Sequence, residues 1–113
     1  MLDVERLKND FGIDAKAGLA RCMNNKAFFA KMLAMALKNP SFDKLENVLA
    51  AQNYEEAFEL CHALKGVVGN LALDKIYNPI SEMTEQLRRK DDLDYVAAYK
   101  PIKELRDKLV AEL

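Results

Sequence analysis

The sequence predicts an all-α protein, specifically an up-and-down four-helix bundle preceded by short N-terminal helices. Apolar residues recur at helical spacing through almost the whole chain, and no short run alternates between apolar and polar residues as a half-buried strand does. The 113 residues include only four glycines and three prolines, a composition that argues against a turn-rich β-sandwich and against disorder. The links between the long predicted helices are short, which favours antiparallel neighbours.

The length of the chain corresponds to one domain, because domains commonly contain about 100–200 residues. We therefore expect a single helical domain over residues 1–113, with short helices in about residues 1–23 and the bundle in about residues 24–113. Such a domain can bury one modest core, but it leaves no room for a separate nucleotide-binding domain.

Two short helices are predicted before the bundle. Leu2 to Asn9 has an amphipathic pattern, and Asp14 to Met23 forms the second helix. Glycine is unfavourable within a helix because its backbone loses much conformational freedom, so Gly12 is expected to separate the two segments.

The first long helix is predicted from Lys26 to Leu37, where apolar side chains cover most of the circumference. Asn39-Pro40-Ser41 interrupts it, because proline lacks a backbone donor and disfavours helix in the residue before it. Helix resumes near Phe42. The pattern leaves open whether the two pieces form one kinked helix.

The next helix is predicted from Tyr54 to about Asn70. Asn53 is a candidate N-cap with Glu56 three residues later, which is the capping-box pattern. At about 100° per residue, one stripe forms the core face; it comprises Tyr54, Ala57, Phe58, Cys61, Leu64, Val68 and Leu71. The opposite side holds Glu55, Glu59, His62, Gly66 and Gly69.

Two helices complete the predicted bundle. The first covers roughly Ala72 to Arg89, and we expect Pro79 to kink it or to move its start to Asn78. Asp91-Asp92 is expected to cap the last helix, in which Pro101 predicts another kink.

The charge balance excludes several classes of partner. The chain has 17 Lys and Arg against 18 Asp and Glu, so it carries no basic footprint for nucleic acid or for an anionic membrane. The basic run Arg88-Arg89-Lys90 is expected to stabilise a helix C-terminus instead. The first residues are charged where a signal peptide is apolar, and Cys22 and Cys61 form no C-x-x-C pair. We therefore expect a cytoplasmic protein with reduced thiols and no metal site.

The single histidine of the chain, His62, is the most informative residue. It lies roughly 140° from the centre of the core stripe and is therefore predicted to be exposed. Gly66 and Gly69 follow on the same side, although a glycine inside a helix costs about 1 kcal/mol relative to alanine. Close helix packing would explain such glycines, but their position away from the core stripe favours open space for an approaching group.

A neutral imidazole is suited to attack an electrophile near pH 7, since its unperturbed pKa is about 6.5. Lys65 lies one turn after His62 and can bring its ammonium group toward an anion carried on the ring. Phosphoryl transfer requires positioning and charge compensation more than covalent machinery. The pattern is thus consistent with His62 as a carrier of a phosphoryl group, and an incidental surface histidine is the alternative.

The segment His62-Ala63-Leu64-Lys65-Gly66-Val67-Val68-Gly69-Asn70-Leu71 resembles the signature of the histidine-containing phosphotransfer (HPt) domains of bacterial multistep phosphorelays. The resemblance covers about residues 12–112. It implies that the ring nitrogen of His62 remote from the backbone is phosphorylated, that Lys65 helps to hold the phosphoryl oxygens and that Gly66 keeps the docking surface clear. Ala72 departs from the pattern, because the family often has glycine there.

The resemblance implies a phosphorelay phosphocarrier that accepts a phosphoryl group from an aspartyl-phosphate receiver domain and passes it to another receiver. The partners would be response-regulator receiver domains or a hybrid sensor histidine kinase, and the receiver would supply Mg²⁺. Candidate docking residues are Glu59, Gly66 and Gly69. We expect a monomer that needs no cofactor of its own. It is not expected to be an ATP-dependent kinase, since it has no glycine-rich phosphate loop.

Three other interpretations compete. The chain could be a non-catalytic helical interaction adaptor in which His62 is incidental. A thiol or metal function of Cys61 with His62 is disfavoured, because adjacent residues point about 100° apart on a helix. A helix on a membrane surface is disfavoured by the balanced charges.

Overall fold

The computed structural model describes residues 2–113 and places seven helices there. They are α1 (Val4–Phe11), α2 (Lys16–Arg21), α3 (Lys26–Leu37), α4 (Ser41–Ala50), α5 (Tyr54–Gly69), α6 (Asp74–Arg89) and α7 (Tyr95–Ala111). No strand occurs within these described residues, so the all-α prediction is confirmed.

The bundle is formed by four helices in cyclic order. α4 packs on α5, α5 on α6, α6 on α7 and α7 on α4. α3 lies beside this bundle and contacts α5 and α7. Links of a few residues join the consecutive helices α4 to α7, and short links of this kind favour antiparallel neighbours. The molecule measures 41 × 23 × 21 Å, as expected for helices aligned along one axis. None of the helices in residues 2–113 combines the length and apolar character that crossing a bilayer would need.

The predicted break near Pro40 is confirmed. α3 ends at Leu37 and α4 begins at Ser41, whose backbone N–H donates to the Asn39 side chain at 2.9 Å. The buried side chain of Arg106 closes the break from α7, since its Nε donates to the carbonyl of Leu37 at 2.7 Å. This hydrogen bond satisfies a carbonyl that the end of α3 would leave unpaired.

α1 begins at Val4 rather than at the predicted Leu2. Asp3 is its N-cap, because the Asp3 carboxylate accepts a hydrogen bond from the backbone N–H of Arg6 at 2.9 Å. Gly12 ends α1 with a left-handed φ of 66°, which glycine adopts without steric cost. The predicted break at Gly12 is therefore confirmed.

α2 is shorter at both ends than the predicted Asp14–Met23 segment. The Asp14 carboxylate accepts from the backbone N–H of Lys16 at 3.1 Å, and Met23 has a left-handed φ of 59°. Gly18 is buried against the link that follows α5, where an added Cβ would overlap the backbone carbonyl of Leu71. The absence of a side chain at Gly18 therefore lets α2 dock beside the C-terminal end of α5.

The predicted boundaries of the last two helices need correction. α6 begins at Asp74, because the carbonyl of Leu73 already accepts from the N–H of Tyr77 at 2.7 Å before Pro79 is reached. The later start at Asn78 was therefore wrong. Proline is accommodated in the second turn, after the first turn has closed.

The N-cap of α7 is Asp94 and not Asp91-Asp92. The Asp94 carboxylate accepts from the backbone N–H of Ala97 at 3.0 Å. The Asp91 carboxylate is instead paired with Arg89 at 2.8 Å, while its carbonyl accepts from the Tyr95 hydroxyl at 2.7 Å. These contacts hold Asp91 in the link before α7.

Candidate functional site

α5 presents its faces largely as the sequence predicts. Its N-terminus is fixed by Asn53, whose side-chain oxygen accepts from the N–H of Glu56 at 3.3 Å and whose amide donates to the Glu56 carboxylate at 3.1 Å. The buried residues are Ala57, Cys61, Leu64 and Val68, followed by Leu71 in the link. The exposed residues include Glu55, Glu59, His62 and Gly66.

The N-terminal part of the predicted core stripe differs from expectation. Tyr54 is 41% exposed and Phe58 is half-buried. Tyr54 contacts Tyr95 through rings whose centroids are 5.2 Å apart, and the guanidinium of Arg88 lies over the Phe58 ring. The two aromatic side chains at the start of α5 therefore contact the end of α6 and the beginning of α7, and both stay partly exposed.

The imidazole of His62 stands on the surface and contacts one aromatic neighbour. Its ring lies almost parallel to that of Phe58, one turn earlier, with centroids 6.0 Å apart and planes 15° apart. Among residues 2–113, neither ring nitrogen of His62 has a hydrogen-bond partner. The ring nitrogens are thus available to an approaching group.

The surface beyond His62 toward the end of α5 is open. Lys65 is half-buried one turn later, and Gly66 is exposed. A Cβ placed on Gly66 would meet no atom of the described residues within 4 Å, apart from its chain neighbours and the surrounding backbone of its own helix. Gly66 therefore leaves unoccupied space next to the imidazole, as the sequence predicts.

Gly69 has a different environment from Gly66. It is half-buried, and a Cβ there would lie 3.0 Å and 3.1 Å from two ring carbons of Tyr77 in α6. The interpretation of both glycines as open ground was wrong for Gly69. The wheel identifies the side of α5 on which Gly69 lies, but it cannot show that the α6 tyrosine folds over that side.

The residues around His62 form a wide, open depression of about 670 Å³, which we call the His62 depression. α5 contributes His62, Lys65, Gly66 and Gly69. The opposite walls come from α2, the α5–α6 link and α6, through Ala17, Arg21, Asn70, Ala72, Asp74 and Tyr77. The structure therefore brings four of the five predicted site residues together.

The fifth predicted residue, Glu59, lies elsewhere. It lines a second open groove of about 710 Å³, here called the Tyr54 groove, formed by the start of α5, the end of α6 and the beginning of α7. Phe58 also lines this groove, and its stacked partner His62 lines the His62 depression. The Phe58–His62 pair therefore separates Glu59 from the other predicted docking residues.

Three residues near the site were not identified as functional from the sequence. Phe58 was assigned to the core, and Arg88 was assigned to a charge cluster at a helix end. Arg21 was not singled out, yet its guanidinium donates to the carbonyl of Gly69 at 2.8 Å. Spacing of Phe58 and His62 by four residues could have indicated their contact, whereas the Arg88 and Arg21 contacts join different helices.

The two cysteines do not join the site. Both are free and buried, and burial raises the pKa of the Cys61 thiol to about 12. Cys61 belongs to the core while the adjacent His62 is exposed. Within residues 2–113, no group of three or more His, Cys, Asp or Glu side chains is arranged to hold a metal ion.

The turn after α5 shows the consequence of Ala72. The N–H of Leu73 donates to the carbonyl of Val68 at 3.2 Å, and the N–H of Ala72 donates to the carbonyl of Gly69 at 3.1 Å. This is the Schellman arrangement, in which the residue at the Ala72 position is left-handed and usually glycine. Ala72 has a φ of 55°, so it adopts the glycine-type turn despite its methyl group.

Comparisons with protein-family models, curated proteins and solved structures found no match for this chain. Membership of the phosphotransfer family thus stays a prediction based on the residues of α5.

Proposed function

We propose that this chain is a histidine-containing phosphotransfer domain that carries phosphoryl groups between receiver domains. The observation that supports this proposal most is the exposed imidazole of His62, which has no hydrogen-bond partner within residues 2–113 and stands beside the open space at Gly66. An aspartyl phosphate on a docked receiver could approach the ring there. The partners would be receiver domains of response regulators or of hybrid kinases in the cytoplasm, where buried thiols remain reduced.

The transfer step requires a neutral imidazole with its proton on Nδ1 and a lone pair on Nε2. Nε2 attacks the phosphorus, so the N–P bond forms while the bond between phosphorus and the acyl oxygen breaks. The aspartate carboxylate leaves with the electron pair, and the phosphorylated ring retains the Nδ1 proton until solvent removes it. Transfer to a second receiver reverses these steps on a new carboxylate.

Lys65 provides charge compensation in this proposal. Its ammonium group can reach an anion on the ring from one turn away on the same helix, where residues three apart are neighbours. Phosphoryl transfer depends mainly on positioning and electrostatic stabilisation. The receiver would contribute Mg²⁺ and the acyl phosphate, so the chain itself would need neither ATP nor a cofactor.

The proposal is tested by mixing the protein with receiver domains that have been charged with ³²P-labelled acetyl phosphate. Label should move onto the wild-type chain, be lost in acid and survive in alkali, as expected for a phosphoramidate. His62→Gln should take no label. Its helical signal and melting temperature should match those of the wild type, because the side chain is exposed.

Two outcomes would contradict the proposal. Label on His62→Gln would place the acceptor elsewhere. If the wild-type chain binds receivers with the same affinity as His62→Gln and takes label from none of them, the chain is an adaptor.

A further inference from the structure

We infer that Phe58 is a positioning residue for His62 and that Arg88 holds Phe58 in place from α6. The inference rests on the proposed function, since it concerns how the imidazole is oriented for transfer. Its basis is a stack of three side chains. Arg88 lies 4.9 Å from the centroid of the Phe58 ring, and that ring is nearly parallel to His62.

The helix itself directs His62 toward Phe58. Side chains of an α-helix lean toward its N-terminus and onto the residues three and four positions earlier. His62 therefore leans over Phe58, and the two rings are 6.0 Å apart, within the range of aromatic pairs. The space at Gly66, one turn after His62, stays open.

Stacking restrains the ring without covering its reactive edge. The Phe58 ring lies nearly parallel to the imidazole, and neither imidazole nitrogen has a hydrogen-bond partner among residues 2–113. The lone pair of an unprotonated ring nitrogen lies in the plane of the ring. In-line attack on phosphorus uses that lone pair. The contact thus restricts rotation of the ring and keeps its attacking nitrogen accessible.

Arg88 connects this arrangement to the rest of the bundle. Its Nε donates to the Glu85 carboxylate at 3.2 Å, which restrains the guanidinium on α6. A cation over an aromatic face within about 6 Å is attracted by the ring electrons. Phe58 is half-buried between α5 and this cation, so it is less mobile than an exposed ring would be.

A receiver contact would be a different role for the same residues, and steady-state transfer kinetics separate the two. Phe58→Leu should lower kcat about tenfold with little change in KM for the charged receiver, because orientation is lost while docking is retained. Phe58→Tyr should restore kcat, since it restores a stacked ring. If Phe58→Leu raises KM and leaves kcat unchanged, or if its kcat equals that of Phe58→Tyr, the inference is overturned.

Arg88 has a matched control on the adjacent residue. Arg88→Gln should lower kcat about threefold and add nothing further in the Phe58→Leu background, since the two act through one ring. Arg89 pairs with Asp91 instead, and Arg89→Gln should leave kcat unchanged. Equal effects of the two arginine variants, or additive effects of Arg88→Gln and Phe58→Leu, would contradict the coupling.

A spectroscopic measurement tests the stack independently of transfer. In NMR spectra, the Phe58 ring current should shift the His62 ring protons, and Phe58→Leu should move them toward free-histidine values. Phe58→Tyr should retain the shift, because it retains the aromatic ring. If the His62 ring protons of the wild type are not shifted, the stack itself is contradicted. If they are shifted and the wild type transfers no phosphoryl group, only the proposed function is contradicted.

Discussion

The two sides of His62 along α5 differ in what they offer the imidazole. On the N-terminal side, the Phe58 ring lies nearly parallel to the imidazole, and Arg88 lies over the Phe58 ring. On the C-terminal side, Gly66 leaves open space, because no side chain or distant backbone atom of residues 2–113 lies within 4 Å of a hypothetical Cβ there. In the proposed mechanism, this difference lets one helix restrain the phosphoryl-accepting side chain and also keep its approach open. The restraint lies on the side toward which helical side chains lean.

Gly66 and Gly69 make a second, closer comparison. Both lie on the side of α5 away from the core stripe, yet within the described part of the chain a Cβ would meet a neighbouring helix at Gly69 alone, at the ring of Tyr77. Gly69 allows α6 to approach, and Gly66 keeps the surface open. The two glycines therefore differ in the effect that a methyl group should have.

The largest expected effect comes from filling the open side. Gly66→Phe should reduce the rate of phosphoryl transfer about 100-fold, because a ring there would obstruct the approach of the acyl phosphate to His62. A small displacement of two reacting groups from each other slows their reaction strongly. The melting temperature should not fall, since phenylalanine has a better helix propensity than glycine. Rapid-quench transfer assays with a charged receiver measure the rate.

Gly66→Ala is the control for that experiment and should retain most of the transfer rate. If Gly66→Phe transfers phosphoryl groups at the wild-type rate, the acyl phosphate does not approach over residue 66.

Removing the charge beside His62 should have the next largest effect. Lys65→Gln should slow transfer about tenfold, because one charge-compensating contact to the phosphoryl group is lost. Lys65→Arg should recover much of the rate. Lys31→Gln, at an exposed lysine of α3, should have no effect. Equal rates for the two glutamine variants would remove Lys65 from the mechanism.

Alanine at the two glycines should change stability in opposite directions. Gly66→Ala should raise the free energy of unfolding by about 1 kcal/mol, the usual helix-propensity gain at an unobstructed site. Gly69→Ala should lower it by about 1 kcal/mol, because crowding against Tyr77 outweighs the same gain. Urea unfolding followed by circular dichroism measures both changes. If both variants change the free energy of unfolding in the same direction, the two sites are not distinct.

The smallest effect is expected in the turn after α5. Ala72→Gly should stabilise the protein by about 0.5–1 kcal/mol, because a left-handed alanine is strained by roughly 1–2 kcal/mol and glycine recovers only part of that after its entropy cost. Ala51 has no positive φ, so Ala51→Gly should destabilise. Destabilisation by Ala72→Gly would indicate that the methyl group packs favourably.

Local patterns predicted much of the fold. The helical periodicity, the break near Pro40 and the cap at Asn53 depend on residues close in sequence, and the structure confirms each. The exposure of His62 also follows from its angle to the core stripe. These features need no knowledge of how distant helices meet.

Contacts between helices account for what the sequence did not predict. The wheel assigned Phe58 to the core, but only the packing of α6 decides that Arg88 covers it. Gly69 was assigned to open ground because nothing local shows that Tyr77 lies over it. The cap of α7 was misplaced for a related reason, since three aspartates compete there and Arg89 pairs with Asp91.

The central claim is that His62 passes phosphoryl groups between two receivers. The most direct measurement combines a ³²P-charged receiver, this chain and a second, uncharged receiver that accepts nothing from the first alone. We predict that label reaches the second receiver only when the wild-type chain is present, and that His62→Gln abolishes it. Label reaching the second receiver through His62→Gln would contradict the account.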